Sequence, residues 1–288
     1  MKSELLKFQT APQVTLIGEA WGDAQNPTVL LLHGGGQTRH SWGDTAKVLA
    51  ENGWYAIAID ARGHGDSSWS PDGIYKDKLV SDLRSIIEQL NTAPALVGAS
   101  MGGLTSLIAE GESEKSIASA LILVDIAPKV EQKGVERIFS FMSANVDTGF
   151  ATLEEAADAV AKYLPHRPKP ATMERLSHNL RKREDGRYYW HWDPKILEGW
   201  KTTTPEEITK NTIRLYDAAK RLKVPTLIVR GGMSDVVSEK VMAEFLDMVP
   251  HVESVDVSGA GHMVAGDSNH AFTNAVISFL KKNFPPKQ

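Results

Sequence analysis

Short apolar segments recur along the chain and alternate with longer segments in which apolar residues follow a helical period. The apolar segments are residues 29–32, 55–59, 95–97, 121–124 and 226–229. Strands that are apolar on both faces are typical of a parallel sheet with helices packed on each side. Helical patterns cover residues 42–52, 78–90, 103–109, 239–248 and 271–282. The alternation predicts an α/β fold with a mostly parallel central sheet.

The alternation stops between residues 128 and 220. Helix-like patterns at 153–163 and 173–183 follow one another there without a convincing buried strand. Prolines punctuate the segment and favour short helices joined by bends, at positions Pro165, Pro168, Pro170, Pro194 and Pro205. We therefore expect a core formed by residues 1–127 and 221–288, with residues 128–220 inserted as a helical cap.

Composition and charge narrow the classes of partner. The 288 residues are 42% hydrophobic and 24% charged, which is ordinary for a globular chain with a sizeable core. The formal net charge is −4, and the densest basic run, from Arg181 to Arg183, is followed at once by two acidic residues. A short mixed run of this kind is typical of a solvated helix face. Nucleic acid is therefore not an expected partner.

The chain contains no cysteine, so it has no disulfide framework and no thiolate nucleophile. This composition fits a reducing compartment. The N-terminal residues lack a secretory apolar core, and no apolar run approaches the length of a membrane span. The sequence predicts a soluble, cytoplasmic protein without a membrane partner, and it does not indicate an oligomeric state.

A serine stands where a predicted strand meets a predicted helix. Ser100 lies within the motif Gly98-x-Ser100-x-Gly102, directly after the apolar segment 95–97. A sharp turn at this point strains the serine backbone, and the two glycines allow strand and helix to approach closely. The hydroxyl then projects above the sheet, so the motif predicts a nucleophile elbow with Ser100 as the nucleophile.

A serine hydroxyl is a poor nucleophile at neutral pH and needs a base that an acid orients. The best candidate base is His262, in a glycine-rich loop after the predicted strand 252–257. The favoured acid is Asp235, after the strand that ends at Val229, because an acid loop in that position is the default. Asp125, directly after segment 121–124, remains the alternative acid.

The negative oxygen of an acyl-transfer intermediate also needs hydrogen-bond donors that already point towards it. The Met101 amide, directly after the nucleophile, is one candidate donor. The second is expected from the glycine run after His33, where no side chain obstructs the backbone. Gly35 is the favoured donor, and Gly36 is the alternative.

Together these motifs resemble those of the α/β hydrolases that carry a helical cap, and they span most of the chain. The resemblance rests on His33-Gly-Gly-Gly, the segment from Asp60 to Ser67, the Ser100 elbow, the Asp235 loop and Gly259-Ala-Gly-His262. In motif style the chain is similar to esterases, C–C bond hydrolases, epoxide hydrolases and cofactor-free haloperoxidases. The resemblance implies an α/β-hydrolase fold and indicates the reaction less specifically.

One departure narrows the chemistry that the resemblance implies. Epoxide hydrolases and haloalkane dehalogenases of this style carry aspartate at the elbow, whereas this chain carries Ser100. Acyl-enzyme chemistry is therefore favoured over alkyl-enzyme chemistry. In the resembling families the segment from Asp60 to Ser67 braces the site, so we expect a supporting role for it here.

Five residues are candidates for contact with substrate. Gly36 and Trp42 lie close in sequence to the oxyanion elements, and Met101 and Trp42 are candidates for contact with an acyl group. Phe141 and Trp190 belong to an aromatic set in the predicted cap. That set either forms an apolar roof over the substrate or packs the cap itself, and the sequence leaves both interpretations open.

The remaining histidines are scattered without the spacing of metal ligands, so we expect no catalytic metal and no cofactor. The main hypothesis is a carboxylesterase that acts on a small-molecule ester through an acyl-enzyme. The alternatives are a C–C bond hydrolase for diketone-like substrates, a cofactor-free haloperoxidase or perhydrolase, and a non-enzymatic ligand receptor on the same fold.

Overall fold

A computed structural model gives the structure of the chain and describes residues 2–69, 76–165, 173–262 and 269–286. An eight-stranded sheet forms its centre, with the order β1-β2-β4-β3-β5-β6-β9-β10. The strands are β1 Glu4–Ala11, β2 Val14–Trp21, β3 Thr28–Leu32, β4 Tyr55–Ile59, β5 Ala95–Ala99, β6 Ala120–Val124, β9 Thr226–Gly231 and β10 Val252–Val257. The pairings from β4 to β10 are parallel, as the sequence predicts.

Strands β1 and β2 pair antiparallel, and β2 also pairs antiparallel with β4. The pattern of apolar residues does not predict this hairpin. Half of the positions of β1 are exposed, and buried and half-buried positions alternate along most of β2. Neither strand therefore contains the continuous apolar run by which the other strands were recognised.

Helices cover both faces of the sheet. One face carries α1 Gly43–Glu51 and α10 Asn269–Asn283, and the other carries α2 Lys76–Leu90, α3 Met101–Gly111, α8 Pro205–Lys220 and α9 Glu239–Met248. Successive residues of β3 divide between the two apolar layers. Val29 and Leu31 pack with α1, whereas Leu30 and Leu32 pack on the opposite face. This period of two explains why the parallel strands are apolar throughout.

Between β6 and α8 the chain forms α4 Gln132–Ser143, α5 Leu153–Tyr163, α6 Glu174–Ser177, the hairpin β7 Leu180–Lys182 and β8 Tyr188–Trp190, and α7 Lys195–Lys201. These elements have an apolar cluster of their own, which includes Phe150, Ala156, Leu176, Trp190, Trp192 and Ile196. The helix-like pattern at 173–183 is interrupted in the structure, because α6 ends at Ser177 and a strand begins at Leu180.

Helix α8 lies within the predicted insertion but packs on the core. Leu215 and Ala219 belong to the apolar cluster that contains the helices α2 and α3. Arg214 also donates from Nε to Glu112, at the end of α3, over 2.5 Å. The separate apolar cluster of the insertion therefore does not extend to residue 220. Within the described ranges, no helix is both long and apolar enough to cross a lipid bilayer.

Candidate active site

Ser100 occupies a strained turn between β5 and α3. Its backbone has φ 45° and ψ −109°, a combination that residues other than glycine rarely adopt. A Cβ atom added to Gly98 would lie 2.5 Å from the Gly102 backbone, and one added to Gly102 would lie 2.4 Å from the Leu32 carbonyl oxygen. The two glycines of the motif therefore permit the close approach that the elbow requires.

The neighbouring strand places a carboxylate beside this elbow. Asp125 follows β6 directly, and the Ser100 amide donates to the carbonyl of Val124, the residue before it, over 3.2 Å. The Asp125 side chain is fully buried, and its Oδ2 lies 2.7 Å from Nδ1 of His262. The structure thus pairs the expected base with the alternative acid.

Asp235 has a different partner, which corrects the favoured assignment of the acid. It lies four residues beyond the end of β9, and its Oδ2 contacts Nε of Arg137 in α4 at 2.6 Å. Both side chains of this ion pair are partly exposed. Asp125 comes directly after a fully apolar strand, so the sequence places its carboxylate at the sheet edge but does not show which carboxylate faces His262.

The backbone amides of the glycine run differ in whether they already have a hydrogen-bond acceptor. The Gly34 amide donates to Oε1 of Gln37 over 2.9 Å, and the Gly36 amide donates to Nε2 of His64 over 3.1 Å. The Gly35 amide has no acceptor within the described part of the chain. This arrangement favours Gly35 over Gly36 as an oxyanion donor. Met101 is the first residue of α3, where backbone amides lack helical acceptors.

Two buried histidines support the glycine run. His33 places Nδ1 against the Gly34 carbonyl and accepts from the Ala61 amide through Nε2. His64 faces the Arg62 carbonyl through Nδ1 and accepts from Gly36 through Nε2. Each ring therefore needs one protonated and one unprotonated nitrogen, which defines a neutral imidazole with the proton on Nδ1.

Burial disfavours the charged form of both rings. It lowers the pKa of His33 from 6.5 to about 4, with a smaller opposing effect from the carbonyl of Gly34. It lowers the pKa of His64 from 6.5 to about 3, and the neighbouring His33 lowers it further. Both rings are consequently neutral at neutral pH, as their hydrogen bonds require.

The segment from Asp60 to Ser67 braces the site rather than forming a second catalytic cluster. The Asp60 carboxylate is fully buried, accepts from the Arg39 amide over 2.6 Å and forms an ion pair with the Arg39 guanidinium. The Ser67 hydroxyl donates to the Asp60 carbonyl over 2.6 Å. These bonds connect the segment to the 3₁₀ turn Arg39–Trp42 that follows the glycine run.

Trp42 does not line the site, which corrects its assignment as a substrate contact. Its side chain is 1% exposed and belongs to the apolar layer on the α1 side of the sheet. The ring centroid lies 5.9 Å from that of Phe272 in α10. A bulky apolar residue immediately before α1 packs the core here, because that helix must bury its apolar face against the sheet.

The aromatic residues of the predicted cap, the segment between β6 and α8, pack among themselves. Phe141 stacks on Tyr163 with ring centroids 4.2 Å apart and meets Trp190 edge-on at 5.6 Å. Trp190 also meets Phe150 edge-on at 5.2 Å and is 8% exposed. Phe141 and Trp190 thus have packing partners within the cap, and a role in substrate binding stays a prediction for both.

Other cap residues lie directly against the glycine run. A Cβ atom added to Gly36 would lie 3.2 Å from Cε of Met142 and 3.6 Å from Nε1 of Trp192. One added to Gly35 would lie 3.9 Å from Cδ1 of Ile196. Trp192 belongs to the aromatic set that the sequence offers as a roof over the substrate. Ile196 was not predicted as a neighbour of the site, and only the folded chain brings it there.

Backbone bonds attach the cap to the bracing segment. The Gly65 amide donates to the His191 carbonyl over 2.8 Å, and the Asp193 amide donates to the Gly63 carbonyl over 2.7 Å. These bonds flank a bridge between His64 and Trp192. The cap and the support of the glycine run therefore share one patch of backbone hydrogen bonds. Among the described residues, no group of three or more His, Cys, Asp or Glu side chains could hold a metal ion.

Comparison with known proteins identifies the family. The family model for serine aminopeptidase, S33, matches residues 23–269. Esterase Rv0045c of Mycobacterium tuberculosis is 30% identical over 267 residues, which cover 90% of this chain and 84% of the esterase. The 3-hydroxybutyrate-oligomer hydrolase of Cupriavidus necator is 29% identical over 251 residues, which cover 84% of this chain and 85% of that enzyme.

Solved structures support the same fold. The crystal structure of E-2-(acetamidomethylene)succinate hydrolase superposes with a TM-score of 0.84 at 22% identity, covering 97% of this chain and 100% of that one. This likeness agrees with the eight-stranded, mostly parallel sheet. The chain belongs to the serine aminopeptidase S33 family and is an α/β hydrolase.

Proposed function

We propose that this hydrolase cleaves carboxylic esters of small molecules, with Ser100 as nucleophile, His262 as base and Asp125 as the acid that orients it. The observation that carries the proposal is the 2.7 Å contact between His262 Nδ1 and the buried Asp125 carboxylate, one strand away from the strained serine. The esterase and the oligomer hydrolase among the relatives support the same class of reaction.

The reaction follows from these positions. His262 accepts the Ser100 proton at Nε2 while Ser100 Oγ attacks the ester carbonyl. The Gly35 and Met101 amides donate to the resulting oxyanion, and Asp125 stabilises the imidazolium. The carbon–oxygen bond to the alcohol then breaks, and His262 returns its proton to the leaving oxygen. Water, deprotonated by His262, releases the acid from the acyl-enzyme and regenerates Ser100.

The residues around the glycine run favour a neutral, apolar acyl group. Met142, Trp192 and Ile196 are the cap side chains that approach Gly35 and Gly36. An aminopeptidase, the activity in the family description, binds a substrate with a positively charged amine. Asp235 lies on a loop beside the site, but Arg137 already neutralises its charge. These contacts supply an apolar environment and support an ester over a peptide amine.

The segment between β6 and α8 is the proposed cap. Its apolar cluster packs against Met101, the residue that follows the nucleophile. A cap in this position encloses the acyl group and excludes water from the oxyanion donors, which strengthens their interaction with developing charge. We place its end before α8, since that helix packs on the core.

The test is hydrolysis of p-nitrophenyl esters with acyl chains from short to long. Wild type is compared with Ser100→Ala and with the control Ser106→Ala, a buried serine of α3 that donates only to the Gly102 carbonyl. We expect turnover in wild type and in the control, with a loss of at least about a thousandfold in Ser100→Ala.

Equal activity in the folded Ser100→Ala variant would overturn the proposed nucleophile. Absence of ester turnover, combined with cleavage of a dienoate ketone by the same wild-type preparation, would assign C–C bond hydrolysis instead. Halide-dependent oxidation with peroxide would assign a haloperoxidase. Tight binding of an ester product without multiple turnover would assign a ligand receptor.

A further inference from the structure

The Asp125 carboxylate has two partners besides His262. The Gly231 amide donates to Oδ1 over 2.8 Å, and the Ser234 hydroxyl donates to Oδ2 over 2.5 Å. Oδ2 is also the atom that faces His262. Ser234 and His262 therefore share one carboxylate oxygen, and the position of that oxygen depends on both.

The direction of the Ser234 hydrogen bond is fixed by its surroundings. The amides of Val236 and Val237 both donate to Ser234 Oγ over 3.1 Å. A hydroxyl has one proton and two acceptor sites, so these two amides leave only its proton for another partner. An ionised carboxylate accepts hydrogen bonds and donates none. Ser234 therefore donates to Asp125 and cannot rotate without losing three bonds.

The same loop is attached to the cap. Asp235, the next residue, pairs with Arg137 of α4, and a Cβ atom added to Gly134 of that helix would lie 2.1 Å from the Asp235 carbonyl oxygen. The Glu131 amide donates to the Val236 carbonyl over 2.9 Å. The Ser238 hydroxyl donates to Oε1 of Glu131 over 2.6 Å. Residues 234–238 are thus held between the catalytic acid and the first helix of the cap.

We propose that Ser234 is a positioning residue for the catalytic acid, and that the ion pair between Arg137 and Asp235 couples the placement of cap helix α4 to it. This inference rests on the proposed function for its catalytic consequence. Movement of α4 displaces the 234–238 loop, and displacement of the loop moves Ser234 away from Asp125 Oδ2. The imidazole of His262 then loses its fixed orientation towards Ser100.

The experiment combines kinetics with a spectroscopic measurement. The proton between His262 Nδ1 and Asp125 Oδ2 is followed by its downfield ¹H NMR resonance, which needs no substrate. Ser234→Ala is expected to shift this resonance and to lower kcat by about tenfold with KM nearly unchanged. Ser234→Thr retains the hydroxyl and is expected to restore most of kcat.

Arg137→Gln and Asp235→Asn test the coupling to the cap, and both variants retain the Ser234 side chain. Each is expected to shift the same resonance and to lower kcat about threefold, and the double variant is expected to match the single ones. The matched control is Lys129→Gln, which removes an exposed ion pair with Glu244 near the start of the cap. It is expected to change neither quantity.

An unchanged resonance and kcat in folded Ser234→Ala would overturn the positioning role. Changes in Ser234→Ala that are absent from Arg137→Gln and Asp235→Asn would overturn the coupling to α4. If wild type hydrolyses no ester, the NMR measurements still decide whether Ser234 and Arg137 position the His262–Asp125 pair, so failure of the proposed function is distinguishable.

Discussion

His64 Nε2 accepts the hydrogen bond of the Gly36 amide at 3.1 Å, and this bond selects which amide of the glycine run remains for substrate. With Gly34 donating to Gln37 and Gly36 donating to His64, Gly35 is the amide left for an oxyanion. On the proposed mechanism, a neutral histidine outside the triad thereby helps to define the oxyanion site.

Loss of the His64 acceptor should reduce the rate of the chemical step. His64→Phe preserves an aromatic ring but removes both nitrogens, and we expect kcat to fall by about ten- to a hundredfold with a smaller change in KM. His64→Gln retains an oxygen acceptor and should recover part of the loss. The measurement is steady-state ester hydrolysis, with exposed His251→Ala as the control. Wild-type kcat in a folded His64→Phe variant would contradict the role of this bond.

The buried histidines should make the fold sensitive to acid. In the unfolded chain both bind protons below pH 6.5, whereas the folded pKa is about 4 for His33 and about 3 for His64. The unfolded state therefore binds more protons in this interval. Above about pH 6.5 the two histidines do not lower the free energy of unfolding. Below that pH, and above its own folded pKa, each histidine should lower the free energy of unfolding by about 1.4 kcal/mol per pH unit.

Urea unfolding between about pH 7 and about pH 5 measures this dependence. His64→Gln removes one of the two groups, so the difference between its slope and that of wild type isolates the contribution of His64. Identical slopes for the two proteins would show that His64 is not held neutral in the fold.

The two candidate acids should respond differently to the same substitution. Asp125→Asn removes the charge that orients and stabilises the imidazolium, and kcat should fall by about ten thousandfold, as for other triads. Asp235→Asn removes only the partner of Arg137 and should lower kcat by less than about tenfold. Both are measured on the best p-nitrophenyl ester. A larger loss in Asp235→Asn than in Asp125→Asn would restore Asp235 as the catalytic acid.

Substitution of Trp42 should affect the stability of the fold, whereas substitution of Met142 should affect the preference for acyl-chain length. Trp42→Ala opens a cavity in the core and should lower the free energy of unfolding by about 3–5 kcal/mol while leaving acyl-chain preference unchanged. Met142→Ala removes a cap side chain next to Gly36 and should shift the preferred acyl length towards longer chains. The ester series and urea unfolding together test both expectations. A changed chain-length optimum in Trp42→Ala would return that residue to the substrate site.

Sequence reasoning was strongest where chemistry and geometry are local. The Ser100 turn needs two small neighbours within the same five residues, so its structure could be inferred from them. The choice between Asp125 and Asp235 could not be inferred from the sequence, because each residue follows a buried strand. Only the folded sheet shows which carboxylate faces His262. The β7–β8 hairpin was missed because three-residue strands carry too few alternating positions to reveal a period.

Trp42 shows the same limit in another form. An apolar side chain near an oxyanion loop in sequence can point to either face of the sheet. In the structure, Trp42 lies at the start of α1 and its ring faces Phe272 of α10. The residues next to Trp42 in sequence do not show that α10 packs there.

The position of Asp125 at the end of β6 has a consequence for biosynthesis. The proposed nucleophile and acid lie in one strand–helix–strand unit, whereas the proposed base, His262, comes only after β10. A nascent or truncated chain can therefore form the elbow and its carboxylate but has no base. On the proposed mechanism, hydrolysis begins only after the segment that follows β10 has been made.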